Sequence, residues 1–206
     1  RFNNERSWFL EHKEDYQKHL LEPVKALGED IYKGVQEMLP HEPLLLKVSR
    51  IYRDARRLHG RGPYKDHLWF CVRTGDKDWT FYFDIAPEYY SYGMGFWQAP
   101  AELMEAFRRD LQERPEKFGK LVRGFNRQEQ FVLNGDSYAR SRGEVDELLR
   151  PWFQKKSITL THELPLDEKI FQPELAEEIL TGFKSLVPFY KYFAALCASV
   201  ERRPEE

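Results

Sequence analysis

Hydrophobic positions in this chain recur at two periods, and the period changes twice along its length. Near the start Trp8, Phe9, His12, Tyr16 and Leu20 return at three- and four-residue intervals, the spacing of one helical face, and Asn3 or Asn4 stands where a cap belongs. Pro23 suits the first turn of a further helix with Val24, Leu27, Ile31 and Val35 on one side. Residues 1–39 are therefore expected to form a helical hairpin or one kinked helix. From Leu44 to Trp97 the period falls to two and the residues turn aromatic and β-branched: "LLLKVSRIY", "HLWFCVRT", "WTFYFDIA" and "YYSYGMGFW". "GDKD" separates the middle pair and Pro87-Glu88 the last pair. Four strands joined by such short turns predict an antiparallel sheet over 44–97.

The helical period returns after Pro100, with Leu103, Phe107 and Leu111 four apart, and again after Pro115, with Phe118, Leu121, Val122 and Phe125. Short strands are expected at "EQFVL" and "SITLTHEL", with a helix through Val145, Leu148, Leu149, Trp152 and Phe153 between them. From Pro173 onward the pattern is one long amphipathic helix, kinked or restarted at Pro188. Residues 100–206 thus read as mainly helices with two short strands. The fold class is α+β: a central antiparallel sheet of about four to six strands covered by helices from both ends of the chain. No repeat or low-complexity linker divides it, and 1–206 is expected to be a single domain.

Composition changes this picture little. A chain of 206 residues, 41% apolar and 15% aromatic, is long enough to remove roughly 70% of its unfolded surface from water. The formal charge of −2 speaks against a surface built to attract polyanions, so nucleic acid is not an expected partner and any anion binding must be local. Cys71 and Cys197 lie in apolar runs without a CxxC or Cys/His grouping, which reads as buried free thiols in a reducing compartment. The longest apolar stretch, Ile179 to Val200, is broken by Lys184, Pro188 and Lys191, whereas a spanning helix needs about 20 nearly uninterrupted apolar residues. With no leader to read at Arg1, the expectation is a soluble, cytoplasmic protein without a membrane partner.

"FNNERSWFLEHKEDYQKHLLEP", "SRIYRDAR…GPYKDH", "FYFDIAP…GMGFWQAPAELMEAFR" and "KKSITLTHEL" occur here in an order that resembles a bacterial and fungal family catalogued as a domain of unknown function, number 2461. The resemblance runs over nearly the whole chain. It rests on Arg50, Arg53, Asp54, Arg56, Pro63, Tyr64, Lys65, Gly93, Gly95 and Trp97, and it implies no activity, cofactor or catalytic residue. The chain departs from the family pattern from Arg57 through Arg61, which leaves Arg57, His59 and Arg61 outside the candidate site.

The densest charge lies in "SRIYRDARRLHGRGPYK", where Arg50, Arg53, Arg56, Arg57, Arg61 and Lys65 meet one carboxylate, Asp54. If "LLLKVSRIYRD" is a strand, Leu44, Leu46, Val48, Arg50, Tyr52 and Asp54 share one face, with Leu45, Lys47, Ser49, Ile51 and Arg53 on the other. Arg50 then continues an apolar face and must find a carboxylate or a bound anion where the core gives way to a cleft. A Gly/Pro-containing loop could fold Arg56 and Lys65 back toward Arg50 or Arg53. Three readings stand side by side: an internal ion-pair network, in which Asp54, Asp84 or a helix glutamate holds Arg50 or Arg53; an oxyanion site; and a nucleic-acid surface.

A second candidate is the hairpin "YYSYGMGFWQAP". With Pro87 and Glu88 as its turn, Ser91 faces Asp84 and Gly93 faces Tyr82, so Tyr82, Asp84 and Trp97 could wall a pocket floored by Gly93 and Gly95. A β-bulge or a helix packed on the glycines is the competing reading. The six histidines form neither HxH nor HExxH, and no metal site is expected. No nucleophile elbow, P-loop or dinucleotide fingerprint is present. No cofactor is assigned.

The expected partner is a small anionic ligand, phosphate- or carboxylate-bearing. It would be held through Arg50, Arg53, Arg56 and Lys65, with Tyr52 and Tyr64 shaping the pocket and Asp54 counted among its residues. The first alternative is a small hydrolase or transferase that uses the same cations, with Asp54, Asp84 or His162 moving a proton. The second is a protein-protein interaction module docking through the aromatic hairpin or the C-terminal helix.

Overall fold

The computed structural model describes the chain apart from Arg1, Phe2, Ala55, 57–61, 76–78, Trp97, Ser141 and 202–206. Its elements follow the hydrophobic pattern closely in the middle of the chain. Helices α1 (Arg6–Glu11), α2 (Lys13–Tyr16) and α3 (Glu22–Met38) come first, with a π turn, Gln17–Leu21, joining the last two. Strands β1 (Leu44–Val48), β2 (Leu68–Thr74), β3 (Trp79–Ile85) and β4 (Tyr89–Phe96) follow. Helices α4 (Ala101–Glu113), α5 (Pro115–Phe125) and α6 (Arg150–Phe153) and strands β5 (Val132–Asn134) and β6 (Thr159–Pro165) precede a last helix, α7 (Glu174–Glu201). The six strands make one antiparallel sheet in the order β1-β2-β3-β4-β6-β5, and the fold is α+β.

Three expectations are corrected in detail, and one alternative left open is decided. Neither Asn3 nor Asn4 caps α1, whose cap is Glu5 without a side-chain bond. Asn4 instead pairs with the backbone of Tyr64, donating from Nδ2 to its carbonyl and accepting from its N–H, both at 2.9 Å. Of the two N-terminal arrangements the kinked helix is realised: the π turn carries the chain into α3, whose second residue is Pro23, where the missing N–H leaves an α-helical bond unmade. The helix expected through Val145 to Phe153 shrinks to the four residues of α6. The strand expected to run from Leu44 through Asp54 stops at Val48, where a bulge interrupts its pairing.

The chain divides into two compact units: Arg1–Gly75 with Tyr82–Tyr92 and Glu163–Leu180, and Asp76–Phe81 with Gly93–His162 and Thr181–Glu206. In the first, α3 buries Val24, Ile31 and Val35 and sets Gly28 against Phe70 and Leu46. Phe70 and Phe83 stack there at 5.3 Å, and Tyr92 donates to Glu178 at 3.2 Å. In the second, the aromatic side chains of α4, α5, α6 and α7 pack edge to face, Phe118 lying 5.0 Å from both Phe107 and Trp152, while Trp152 stacks on Phe189. Asp110 is buried among them and accepts from the Tyr192 hydroxyl and from Arg114. Burial, the bond to Asp110 and its charge all raise the Tyr192 phenol. Cys71 is a buried free thiol, and Cys197 is half-buried.

Candidate functional site

The β1–β2 ladder holds one register from Leu44↔Thr74 to Val48↔Phe70, and at its next step Ser49 N–H donates to Trp69 O (2.7 Å). The return bond is diverted, because Trp69 N–H donates to Ser49 Oγ at 3.0 Å. Pairing resumes as a bridge between Tyr52 and Tyr64, flanked by Lys65 N–H to Ile51 O (2.7 Å) and Arg53 N–H to Pro63 O (2.8 Å). Three residue steps from Ser49 to Tyr52 therefore oppose five from Trp69 back to Tyr64. This bulge ends the strand, and it takes Asp66 and His67 out of the ladder.

The bulge decides where the charge cluster goes. Arg53 donates from Nε to Tyr64 O (2.6 Å) and from Nη2 to Asp66 (3.4 Å). Arg56 forks onto Asp54 at 3.1 and 2.8 Å, and its N–H also reaches that carboxylate; the bond to Asp54 raises the guanidinium further above its ordinary value. Lys65 donates to Arg50 O at 2.7 Å and lies 5.7 Å from the centre of the Trp69 ring. First burial and then the charges of Arg53 and Lys47 hold its ammonium below the ordinary lysine value. Arg53 and Arg56 are thus occupied internally, by Asp66 and Asp54. Arg57, His59 and Arg61 lie outside the described residues.

Arg50 and Tyr52 have a different setting. Both line a hollow of about 390 Å³ whose other walls come from the N-terminal helices and from the end of β1. Phe9, Leu21, Val48 and Ile51 make it apolar, and Tyr16 and Tyr52 bring hydroxyls to it. Phe9 packs at 4.3 Å on Tyr64, 5.5 Å from Tyr16 and 6.1 Å from Tyr52. Burial, and then the proximity of Tyr52, raises the Tyr16 phenol. Among the described residues three cations stand on the lining, Lys13, Lys25 and Arg50, and no Asp or Glu does. Among the described residues none of the three has a carboxylate within ion-pairing distance.

Lys13, Gln17 and Lys25 do not stand out in the charge runs of the sequence, yet a signal is there. Phe9, Lys13, Gln17, Leu21 and Lys25 follow one another at intervals of four, and all five line the hollow. In an α-helix of about 3.6 residues per turn a strict interval of four drifts off one face. The π turn over Gln17–Leu21 closes its bonds one residue later and takes up part of that drift.

Asp84 is buried, and one oxygen, Oδ2, lies 3.3 Å from Nδ1 of the half-buried His67. Its other oxygen, Oδ1, is buried without a hydrogen-bond partner among the described residues. Burial raises the Asp84 carboxyl above its ordinary value, with the charge of His67 opposing. His67 opens on a cleft of about 170 Å³ shared with Asp66, Glu88 and Tyr89. A third cavity, about 740 Å³, has an apolar lining that includes Val24, Leu27, Phe83 and Leu166, and its rim charges are of both signs, Lys18 and Asp30.

The hairpin turn forms as expected, with Ala86 N–H donating to Tyr89 O at 2.9 Å across Pro87 and Glu88. Tyr82 is buried. Beside Gly93 and Gly95 lies β6: a Cβ on Gly93 would sit 1.9 Å from Leu160 O, and one on Gly95 2.5 Å from Ile158 O. A strand backbone therefore fills the space that a pocket floor would have left open. Trp97 lies outside the described residues. His162 packs on Phe131 at 5.9 Å. Among the described residues no group of three or more His, Cys, Asp or Glu is placed to hold a metal ion, and no helix is long and apolar enough to cross a membrane.

The chain therefore has an α+β fold with an aromatic, cation-rimmed hollow beneath its N-terminal helices. It belongs to the family described as Conserved hypothetical protein (DUF2461), whose model matches residues 1–192. No curated protein matches it.

Proposed function

We propose that this domain binds a small organic anion in the hollow bounded by Lys13, Lys25, Arg50 and Tyr52. The phosphate or carboxylate of the ligand faces the cations, and an apolar or aromatic body lies against Phe9 and Tyr16. The observation that carries this reading is three cations around one aromatic hollow whose lining has no carboxylate. Its volume falls in the range of small-molecule sites, about 300–1,000 Å³. Guanidinium and ammonium groups are strong donors to oxyanions, and Arg50 has no competing internal acid.

Phenyl phosphate is the probe, titrated calorimetrically. Arg50→Ala, an exposed position, is expected to weaken binding about 10-fold or more, the loss of one charge-assisted contact, with Lys25→Ala acting in the same direction. Binding that neither substitution weakens would overturn the proposal.

The pairing of His67 with Asp84 favours a second reading, an enzyme. A proton on Nδ1 held by Asp84 leaves Nε2 as the basic atom, and a buried carboxylate that orients an imidazole is an arrangement used for proton transfer. Diethyl pyrocarbonate, followed by peptide mapping, should then modify His67 ahead of the other histidines, and Asp84→Asn should slow that modification. Equal reactivity of all six histidines would count against it.

A further inference from the structure

The second unit holds another convergence of cations, one that the period and charge runs of the sequence do not single out. Tyr138 is fixed by its N–H, which donates to Gln154 O at 2.8 Å, and by the neighbouring bridge between Ser137 and Lys155. Three cations gather on its ring: the Arg142 guanidinium at 4.1 Å from the centroid, the Lys156 ammonium at 5.2 Å and the Arg108 guanidinium at 5.3 Å. Arg108 projects from α4 and is only 9% exposed, and its Nη1 donates to Lys155 O at 3.3 Å. Among the described residues no carboxylate lies within ion-pairing distance of any of the three.

Three like charges on one ring repel each other, and the ring's attraction for each is small. Water screens Arg142 and Lys156, which are exposed, but it screens the buried Arg108 far less. A counter-anion between them would remove the repulsion and give the buried guanidinium a counter-charge beside its bond to Lys155 O. We infer that Arg108, Arg142 and Lys156 form a binding site for the phosphate group of a small phosphorylated molecule. Two guanidinium forks and one ammonium match a dianion with several outward oxygens better than a single carboxylate. The surroundings favour a small ligand over a nucleic-acid strand, since Asp136, Glu144, Asp146 and Glu147 are exposed nearby in the chain and would repel an extended polyanion.

The test is calorimetric melting of the whole chain in inorganic phosphate against sodium chloride at equal ionic strength. It is run on the Lys25→Ala, Arg50→Ala double variant, in which the hollow of the other unit has lost two of its three cations, and every further substitution is compared with that background. At phosphate tenfold above its Kd the melting temperature should rise by roughly 3–6 °C. Arg142→Ala and Lys156→Ala, both at exposed positions, should each abolish most of the rise, and Arg140→Ala should leave it intact. Phosphorus-31 line broadening provides a second readout that does not depend on melting. A rise that survives in the Arg142→Ala, Lys156→Ala double variant, or no rise at all, overturns the inference. So does tighter binding of a thymidine decanucleotide that depends equally on Arg140, which would mark a polyanion surface instead.

Discussion

Asp84 and Arg50 show what alternation along a strand can and cannot reveal. Arg50 and Tyr52 line a hollow, but not as an extension of the face of Leu44, Leu46 and Val48: the strand ends at Val48, Ser49 is buried while Arg50 is exposed, and every residue from Val48 to Tyr52 lies on the lining. The fates of Arg53 and Arg56 were not legible. Arg56 pairs with Asp54 two residues away, while the partner of Arg53, Asp66, stands within a bulge at which a serine hydroxyl takes the place of a backbone carbonyl, and hydrophobic period carries no record of that exchange. Asp84 stands out on the hairpin, but its partner His67 comes from the same bulge. A pH-dependent consequence follows from the raised carboxyl. Below the unfolded aspartate value, about 3.9, the group is protonated in both states and does not disfavour folding. As pH rises through the raised folded value, ionising a buried carboxylate subtracts stability. Asp84→Asn should therefore unfold at the same urea concentration as the parent near pH 4 and at a higher one at neutral pH. A parent that gains on the variant with rising pH would contradict this.

At the scale of elements, the middle of the chain was the most readable part. Strands β2, β3 and β4 fall where the period of two and the turn residues put them, because sheet side chains alternate strictly and both short turns are marked. The glycines of β4 were also visible, but what approaches them was not, since strand order depends on pairing between distant segments. β6 lies where a methyl group on Gly93 would go. Gly93→Ala should destabilise the protein by about 3 kcal/mol, the upper part of the range for overpacking, because the obstacle is a backbone carbonyl that cannot turn aside. Urea unfolding measures this, and a change below about 1 kcal/mol would mean that β6 yields easily. The helical stripe from Phe9 to Lys25 teaches the complementary lesson. Its interval of four was present in the letters but is only meaningful once a π turn is known to lie within it.

For the molecule as a whole, a net charge of −2 hides unequal local balances. Lys13, Lys25 and Arg50 rim one hollow without an acid on its lining, while Asp66, Glu88 and Asp84 crowd the surroundings of His67. Overall charge therefore speaks against a broad polyanion surface without bearing on either place, because fields within a few ångströms are set by neighbours and those beyond a Debye length, about 8 Å in physiological salt, are screened. Membership of the DUF2461 family fixes the fold's pedigree and leaves these local balances as the guide to function.

The surplus of two residues between Tyr64 and Trp69 carries one more consequence. A relative shortened by two positions there could zip Leu44 through Arg53 into an uninterrupted ribbon, gaining hydrogen bonds and releasing the imidazole from its carboxylate. Length at this one place, rather than residue identity, would then tell which members of the family keep the His67–Asp84 contact and which have traded it for a longer strand.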